Sequence, residues 1–514
     1  MQAILFFLSA TLSLFSANME KETPSVKMPK MAFNSATRPY SDELKGTQWA
    51  SNTLDNERPI VLKSVEDIAL DAPLDAKTHE ADVAEMKKKV AKLTDIERSN
   101  AEFWQRHPAI RWNEFTREIV AAHNVPPRVL SDSSGYPTPS RTQPTDLARY
   151  PFANPPYTSR VFAYVSVAQH DALLVAQFYQ TKFQKMSVKE GGQAATWATA
   201  RHYPSTEAAV AAASAEVLKY LFPAAITEIE ETVEKARQSA YLSEKYNETD
   251  INAGEKIGEA IAQKIIERAE SDGMDAAQGT AAQWQTVLNR RTEGGEMAWT
   301  SKQKPIRPAI EPFFGNVRAW WVSDVAQMRP PAPPATNSDA LQKEIELVKN
   351  ISRSQDKKRT DIIMKWSDAE FSPTPIGHWN IIACDILLKN KNSDVEIVRT
   401  LALLNRSLMD AGIVCWEAKT FYCYPRPSQV DPSVHPRLPL PNFPSYPSGH
   451  AVFSSAAATV LGNIFPSEAE NLNKMAAEAS ISRLYAGLHF QMDCDAGTVL
   501  GKKIGVMAIE KSKQ

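Results

Sequence analysis

Cysteine is scarce: four occur in 514 residues, Cys384, Cys415, Cys423 and Cys494, and none forms a Cys-x-x-Cys pair. That excludes a structural zinc framework, and no disulfide framework is implied at this length, which leaves room for a single bridge in the C-terminal part. Glycine is also sparse, with 19 residues, and alternating strand patterns with hairpin turns are few. Charge of one sign is missing: 58 Lys and Arg stand against 60 Asp and Glu, for a formal charge of -2. No basic stretch is interleaved with aromatics, which excludes a nucleic-acid partner. Mean hydropathy is -0.35, as in a soluble protein. Apart from the opening run Ala3 to Ala17, no segment resembles a membrane span. That run is shorter than the ~20 apolar residues a spanning helix needs.

What is present is helical pattern. The opening run has the length of a signal-peptide core, so residues 1–18 read as a leader and the protein as exported, periplasmic or secreted. Residues 19–78 are polar, with no sustained period, and read as an N-terminal arm. Beyond them Val161, Val165, Ala168, Ala172, Val175 and Tyr179 recur at helix spacing. Ser393 with Glu396 forms a capping-box pattern ahead of Ile397, Leu401, Leu404 and Leu408, and Ser467 with Glu470 repeats that start signal. The expected class is all-α, two packed helical bundles. Arg329-Pro330-Pro331-Ala332-Pro333-Pro334 cannot be helix. A linker at 329–336 then divides an N-terminal helical domain, 79–328, from a C-terminal catalytic one, 337–514. No tandem repeat is evident at the residue level.

Three short motifs follow in fixed order: Lys419-x6-Arg426-Pro427, then Pro447-Ser448-Gly449-His450, then Ser482-Arg483-x5-His489-x3-Asp493. Each alone could be a solvated helix end, a capped turn or an ordinary i,i+4 pair. Together they supply three cations, two histidines, a Ser-Gly turn and a carboxylate, which is equipment for holding a tetrahedral oxyanion. Lys419 and Arg426 are two helical turns apart, with Pro425 ending the helix before Arg426. Ser448 reads as an N-cap and Gly449 allows close backbone approach at a helix N-terminus that suits an anion. His489 and Asp493 are expected on one helix face, where the carboxylate fixes the ring tautomer. The Pro-rich stretch between Pro425 and Pro447 is expected to shape the rim. The other histidines, at 79, 107, 123, 170, 202, 378 and 435, have no such partners in sequence and read mostly as surface or satisfied core residues, with His435 placed in the rim.

The motif set resembles the type 2 phosphatidic acid phosphatase and vanadium-dependent haloperoxidase superfamily over about residues 360 to 510. The resemblance implies an all-helical fold with one phosphate or vanadate pocket. Carried over by position, it implies that Lys419, Arg426 and Arg483 hold equatorial oxygens, with Ser448 and the Gly449 N–H adding hydrogen bonds. His489 becomes the axial ligand of vanadium or the nucleophile on phosphorus, His450 the acid/base at the opposite apex, and Asp493 the group that orients His489. The run Phe443 to Ala451, with Trp416 three residues before Lys419, is similar to the soluble haloperoxidase branch. So is Trp366-Ser367-Asp368 followed by Trp379-Asn380, and there Asp368 is implied as a partner of Arg483. The implied activity is halide oxidation by hydrogen peroxide with vanadate as cofactor. The alternative is hydrolysis of a phosphate ester, through a phosphohistidine and with no cofactor required. Partners are then small molecules only, with oligomeric state open.

Overall fold

The computed structural model describes residues 57–73, 76–104, 107–126, 151–189, 202–243, 245–303, 309–354 and 356–513. The expected leader and most of the polar arm lie outside them. The described residues form helices and no strands. In order these are α1 (Ala76–Ala91), α2 (Asp95–Trp104), α3 (Pro108–His123), α4 (Pro155–Lys189), α5 (Thr206–Leu221), α6 (Ile226–Leu242), α7 (Glu248–Glu270) and α8 (Ala281–Glu293). Then follow α9 (Asp339–Ser352), α10 (Lys357–Lys365), α11 (Thr374–Lys389), α12 (Asp394–Tyr422), α13 (Pro427–Val430), α14 (Gly449–Ile464), α15 (Ala469–Tyr485) and α16 (Gln491–Lys511). Among the described residues no helix is long and apolar enough to cross a membrane.

The long helices α4 and α12 pack against each other at the centre. The apolar series from Val161 to Tyr179 is buried in α4, and Ile397, Leu401, Leu404 and Leu408 are buried in α12. One apolar core takes side chains from both helices and from α3, α5, α7, α11, α14 and α16. Truncating a member such as Leu404 to Ala removes roughly 2–5 kcal/mol. Ser393 and Glu396 form the expected reciprocal cap of α12. Ser467 and Glu470 do not repeat it: α15 begins at Ala469 after a 3-10 turn, with no side-chain cap, because Pro466 already directs the chain into the helix. All four cysteines are buried and free. The proline stretch after Arg329 has no regular secondary structure, and its carbonyls at Pro330, Pro331 and Pro334 accept from the hydroxyls of Tyr422, Tyr446 and Tyr424.

The fold contains a repeat that residue-level reading missed. Helices α5, α6 and α7 recur as α14, α15 and α16, 243 positions on, and ten of the 21 residues from Tyr203 to Pro223 match those from Tyr446 to Pro466. The packing recurs as well. A Cβ on Gly254 would lie 2.3 Å from the Ser205 carbonyl oxygen and one on Gly258 2.4 Å from that of Ala209. The counterparts Gly497 and Gly501 give 2.7 Å to Ser448 O and 2.2 Å to Val452 O. Only glycine permits these two helix crossings, since any side chain there would overlap backbone. The Ser205 N–H donates to Asp250 O, and the Ser448 N–H to Asp493 O, both at 2.9 Å. Asp171 of α4 receives the N–H groups of Ile60 and Val61 at 2.8 Å, as Asp410 of α12 receives those of Trp320 and Trp321.

Candidate active site

The second copy of this unit carries the motif residues. Lys419 lies in the last turn of α12, which stops at Tyr422 with Cys423 in the left-handed region. Arg426 is therefore outside the helix, and the two cations meet through a turn rather than along one helical face. Ser448 precedes α14, which starts the 16-residue run containing His450. Arg483 is in the last turns of α15, and Gly487, at φ +66, turns the chain back toward His489. Because α16 begins only at Gln491, His489 precedes the helix, and it meets Asp493 across the helix N-terminus instead of along a helix face. The glycines Gly497 and Gly501 press α16 onto α14, which sets His489 and Asp493 beside Ser448.

Lys419 and Arg426 are fully buried and Arg483 and His489 nearly so. Lys419 Nζ donates to the carbonyl oxygens of Pro444 and Ser445 at 2.8 Å and Pro447 at 2.6 Å. The proline-rich stretch thus cradles the ammonium with backbone oxygens. Three acceptors favour the charged form, while burial, with Arg426 beside it, pulls its pKa down to about 7. Arg426 donates to Phe443 O and Leu488 O, each at 3.0 Å, and its Nη1 donates to His489 Nε2 at 2.8 Å. Arg483 Nη1 donates to the Trp366 carbonyl oxygen and lies 3.2 Å from His450 Nε2. Burial lowers Arg426 to about 9 and Arg483 to about 10.

The histidine tautomer follows from its partners. His489 Nδ1 is 2.9 Å from Asp493 Oδ2, so Nδ1 carries the proton and Nε2 keeps its lone pair toward Arg426. Burial and the three neighbouring cations hold His489 well below its usual range, hence neutral. Asp493 is in turn gripped by the Ser445 hydroxyl at 2.6 Å and the Phe490 N–H at 3.2 Å, while burial pushes its carboxyl up to about 6. His450 Nε2 stands between a donor and an acceptor, 3.2 Å from Arg483 Nη1 and 3.2 Å from Asp368 Oδ2. The approach to Asp368 is an ion-pair distance without in-line hydrogen-bond geometry. Burial and Arg483 lower His450 to about 4.

Asp368 was expected beside Arg483. Its hydrogen bond instead goes to His378 Nδ1 at 3.0 Å, and its other oxygen faces His450. Arg483 donates through Nη1 to a backbone oxygen of the same turn, while the Asp368 charge acts on it without a hydrogen bond. Burial alone would raise the Asp368 carboxyl, but His378 and His450 outweigh it and hold it well below the carboxylate range. Trp416 and Phe443 pack with ring centroids 5.0 Å apart, and Lys419 Nζ and Arg426 Cζ lie 5.1 and 5.2 Å over the Phe443 ring. Sequence reasoning missed Ser445 and His378. Ser445 sits inside the quoted Phe443–Ala451 run, but His378 had no partner at helical spacing to mark it.

Both acceptors and donors are left over, and Asp493 Oδ1 is a buried acceptor with no hydrogen-bond partner. Ser448 Oγ is buried with no hydrogen-bond partner. Among the described residues Arg483 has no acceptor for Nε or Nη2, and His450 none for Nδ1. Gly449 has negative φ, and a Cβ there would meet Trp416 at 3.7 Å, an ordinary contact. Neither backbone conformation nor packing requires glycine at 449. The first copy lacks this equipment: Gln180 stands for Lys419, Glu207 for His450, Ala240 for Arg483 and Tyr246 for His489, while Ser205 and Asp250 remain. Gln180 Nε2 even keeps two of the carbonyl contacts, to His202 O and Pro204 O, at 3.2 and 2.7 Å.

Residues 400–510 match the PAP2 superfamily. The chain carries a PAP2 superfamily domain. A segment of 57 residues is 42% identical to a non-specific acid phosphatase of Salmonella typhi and 40% identical to one of Salmonella typhimurium. Each match covers 11% of this chain and 23% of the relative, so the chain spans about a quarter of the curated relatives it matches. The fold is similar to that of a bacterial vanadium-dependent iodoperoxidase, with a TM-score of 0.53 and 24% identity over 70% of this chain and 91% of that one. It is also similar to a bacterial vanadium-dependent chloroperoxidase, with 0.51 and 16% identity over 73% of this chain and 95% of that one. The PAP2 domain of this chain therefore sits within a longer helical fold of the haloperoxidase kind.

Proposed function

We propose that this PAP2-domain chain is an enzyme of the vanadate-dependent haloperoxidase type, oxidising halide with hydrogen peroxide at a His489-held vanadate. The observation that carries it is the His489 Nε2 lone pair, kept free of a proton by Asp493 and set among three buried cations. The residues fit an oxyanion on their own chemistry: Ser448 Oγ, the open edge of Arg483 and the helix-end N–H of Gly449 are donors without a partner in the site. Burying three cations with so few carboxylates disfavours the empty site, and an anion relieves that. Vanadate held there would supply transfer of one oxygen atom from hydrogen peroxide to a halide. Arg426 and Arg483 would bind its oxygens, Lys419 would add its charge from the carbonyl cradle, Asp493 and Ser445 would hold the His489 ring, and His450 would move protons at Nδ1. The likeness over 91% of the iodoperoxidase chain favours this reading. The apolar run 3–17 keeps export as part of the proposal.

A second reading is favoured by the 42% identity to acid phosphatase over 57 residues. Here His489 Nε2 attacks phosphorus, the ester P–O bond breaks as N–P forms, and His450 protonates the departing oxygen; water then cleaves the phosphohistidine. The test is activity with and without added orthovanadate. Peroxide-dependent halide oxidation that appears on vanadate loading, with p-nitrophenyl phosphate hydrolysis falling in parallel, is the expected result. Ester hydrolysis with no halide oxidation at any vanadate loading would replace the first reading with the second.

A further inference from the structure

Two of the site's contacts come from one short turn. Trp366 ends α10, and its carbonyl oxygen receives Arg483 Nη1. Two residues on, Asp368 turns one carboxylate oxygen toward His450 Nε2 at 3.2 Å. The turn is not self-supporting: Asp368 has φ +43, a conformation that residues with side chains rarely adopt. A turn held in such a conformation needs its surroundings to hold it. His378, in the second turn of α11, meets both of its working ends. Its Nδ1 is 3.0 Å from Asp368 Oδ1, and its ring stacks on Trp366 at 4.4 Å between centroids and 22° between planes. Trp366 is itself fully buried and anchored through Nε1 to Glu478 Oε1 at 2.8 Å.

We propose that His378 is a positioning residue that clamps the 366–368 turn, so that Arg483 is aimed at the oxyanion and Asp368 at His450. The inference rests on the proposed oxyanion chemistry for the roles of Arg483 and His450. Its particular content is that one ring does two separable jobs. The stack on Trp366 supports the arginine that binds, and the hydrogen bond to Asp368 supports the histidine that moves the proton. The first belongs to affinity, the second to turnover. Nothing else among the described residues bonds to the carboxylate of Asp368 with in-line geometry.

Three variants separate the jobs. H378F keeps an aromatic ring against Trp366 and loses the donor; H378N keeps a donor near the Nδ1 position and loses the stack; H378A loses both. Full-length protein is assayed for kcat and KM with p-nitrophenyl phosphate, for vanadate-loaded halide oxidation, and for inorganic phosphate Kd by calorimetry. H378F is expected to lower kcat about tenfold to a hundredfold, the scale of a misplaced catalytic group, with KM and phosphate Kd held within about twofold. H378N is expected to restore most of kcat while raising KM and Kd, and H378A to show both losses. Wild-type kcat in H378F overturns the proposal. So does a uniform loss of kcat, KM and melting temperature in all three, which marks mere packing. If the parent shows neither activity but binds phosphate, the proposed function fails separately. The clamp is then judged on Kd: weaker in H378A and H378N than in H378F sustains it, and equal values in all three overturn it.

Discussion

At the scale of single residues, the site separates what holds the fold from what holds a ligand. Ser448 Oγ has no protein partner. Ser448→Ala is therefore expected to leave stability within about 0.5 kcal/mol, as for a substitution that breaks no native contact. It should still weaken phosphate or vanadate binding about tenfold, the worth of one hydrogen bond to a charged group. Chemical denaturation and calorimetry on the same variant check both halves. His489→Ala removes the atom that bonds to phosphorus or vanadium and should leave no measurable turnover, while Lys419, Arg426 and Arg483 still hold phosphate weakly. His450 gives a pH test. Burial and Arg483 lower its pKa to about 4, and the Asp368 carboxylate opposes them by stabilising the imidazolium. Asp368→Asn removes that opposing charge, so the His450 pKa must fall further. The limb of the kcat/KM–pH profile that belongs to His450 should move acid-ward, and a shift toward higher pH would show that Asp368 does not act on it.

At the scale of elements, the decisive contact is the crossing of α14 and α16, where Gly497 and Gly501 lie against backbone oxygens. It places the Ser448 turn beside the His489–Asp493 pair. Gly501→Ala would set a Cβ 2.2 Å from Val452 O, so the helices must part. The expected cost is roughly 1–3 kcal/mol of stability, as for overpacking in a core, together with loss of oxyanion binding. Gly258→Ala offers the control in the first copy, with its Cβ 2.4 Å from Ala209 O. It should cost similar stability and leave phosphate affinity near the parent value, as read by thermal melts and calorimetry. Equal loss of binding in both would mean that the crossing matters only for general stability.

At the scale of the whole molecule, a repeated helical unit has kept its scaffold twice and its charges once. Asp250, Ser205 and the glycines persist in the first copy, but Gln180, Glu207, Ala240 and Tyr246 replace two of the three cations and both histidines. Titration with inorganic phosphate or orthovanadate should saturate at one equivalent per chain and raise the melting temperature, because a ligand that binds only the folded state stabilises it, by about 2.7 kcal/mol at a hundred times Kd. Lys419→Ala should abolish the shift. Two equivalents in the parent would show that the first copy also binds.

The all-helical class and the eleven-residue motif set could be read directly, because helical periodicity and charged side chains at fixed spacing are local properties of the chain. Lys419, Arg426, Ser448, His450, Arg483 and His489 were named from residue chemistry, and their separate roles from the family resemblance. The tertiary structure decided what depends on distance through space. His378 and Ser445 became visible only when α11 and the proline-rich turn were folded against the site, since a hydrogen bond between residues 10 or 48 positions apart leaves no periodic trace. The repeat was hidden because its shared residues are mostly alanines, aliphatics and turn residues that many helices use, while its chemistry diverged. Asp368 was found in the right place with a different partner, for a turn in the left-handed region directs side chains in ways that spacing along the chain cannot express.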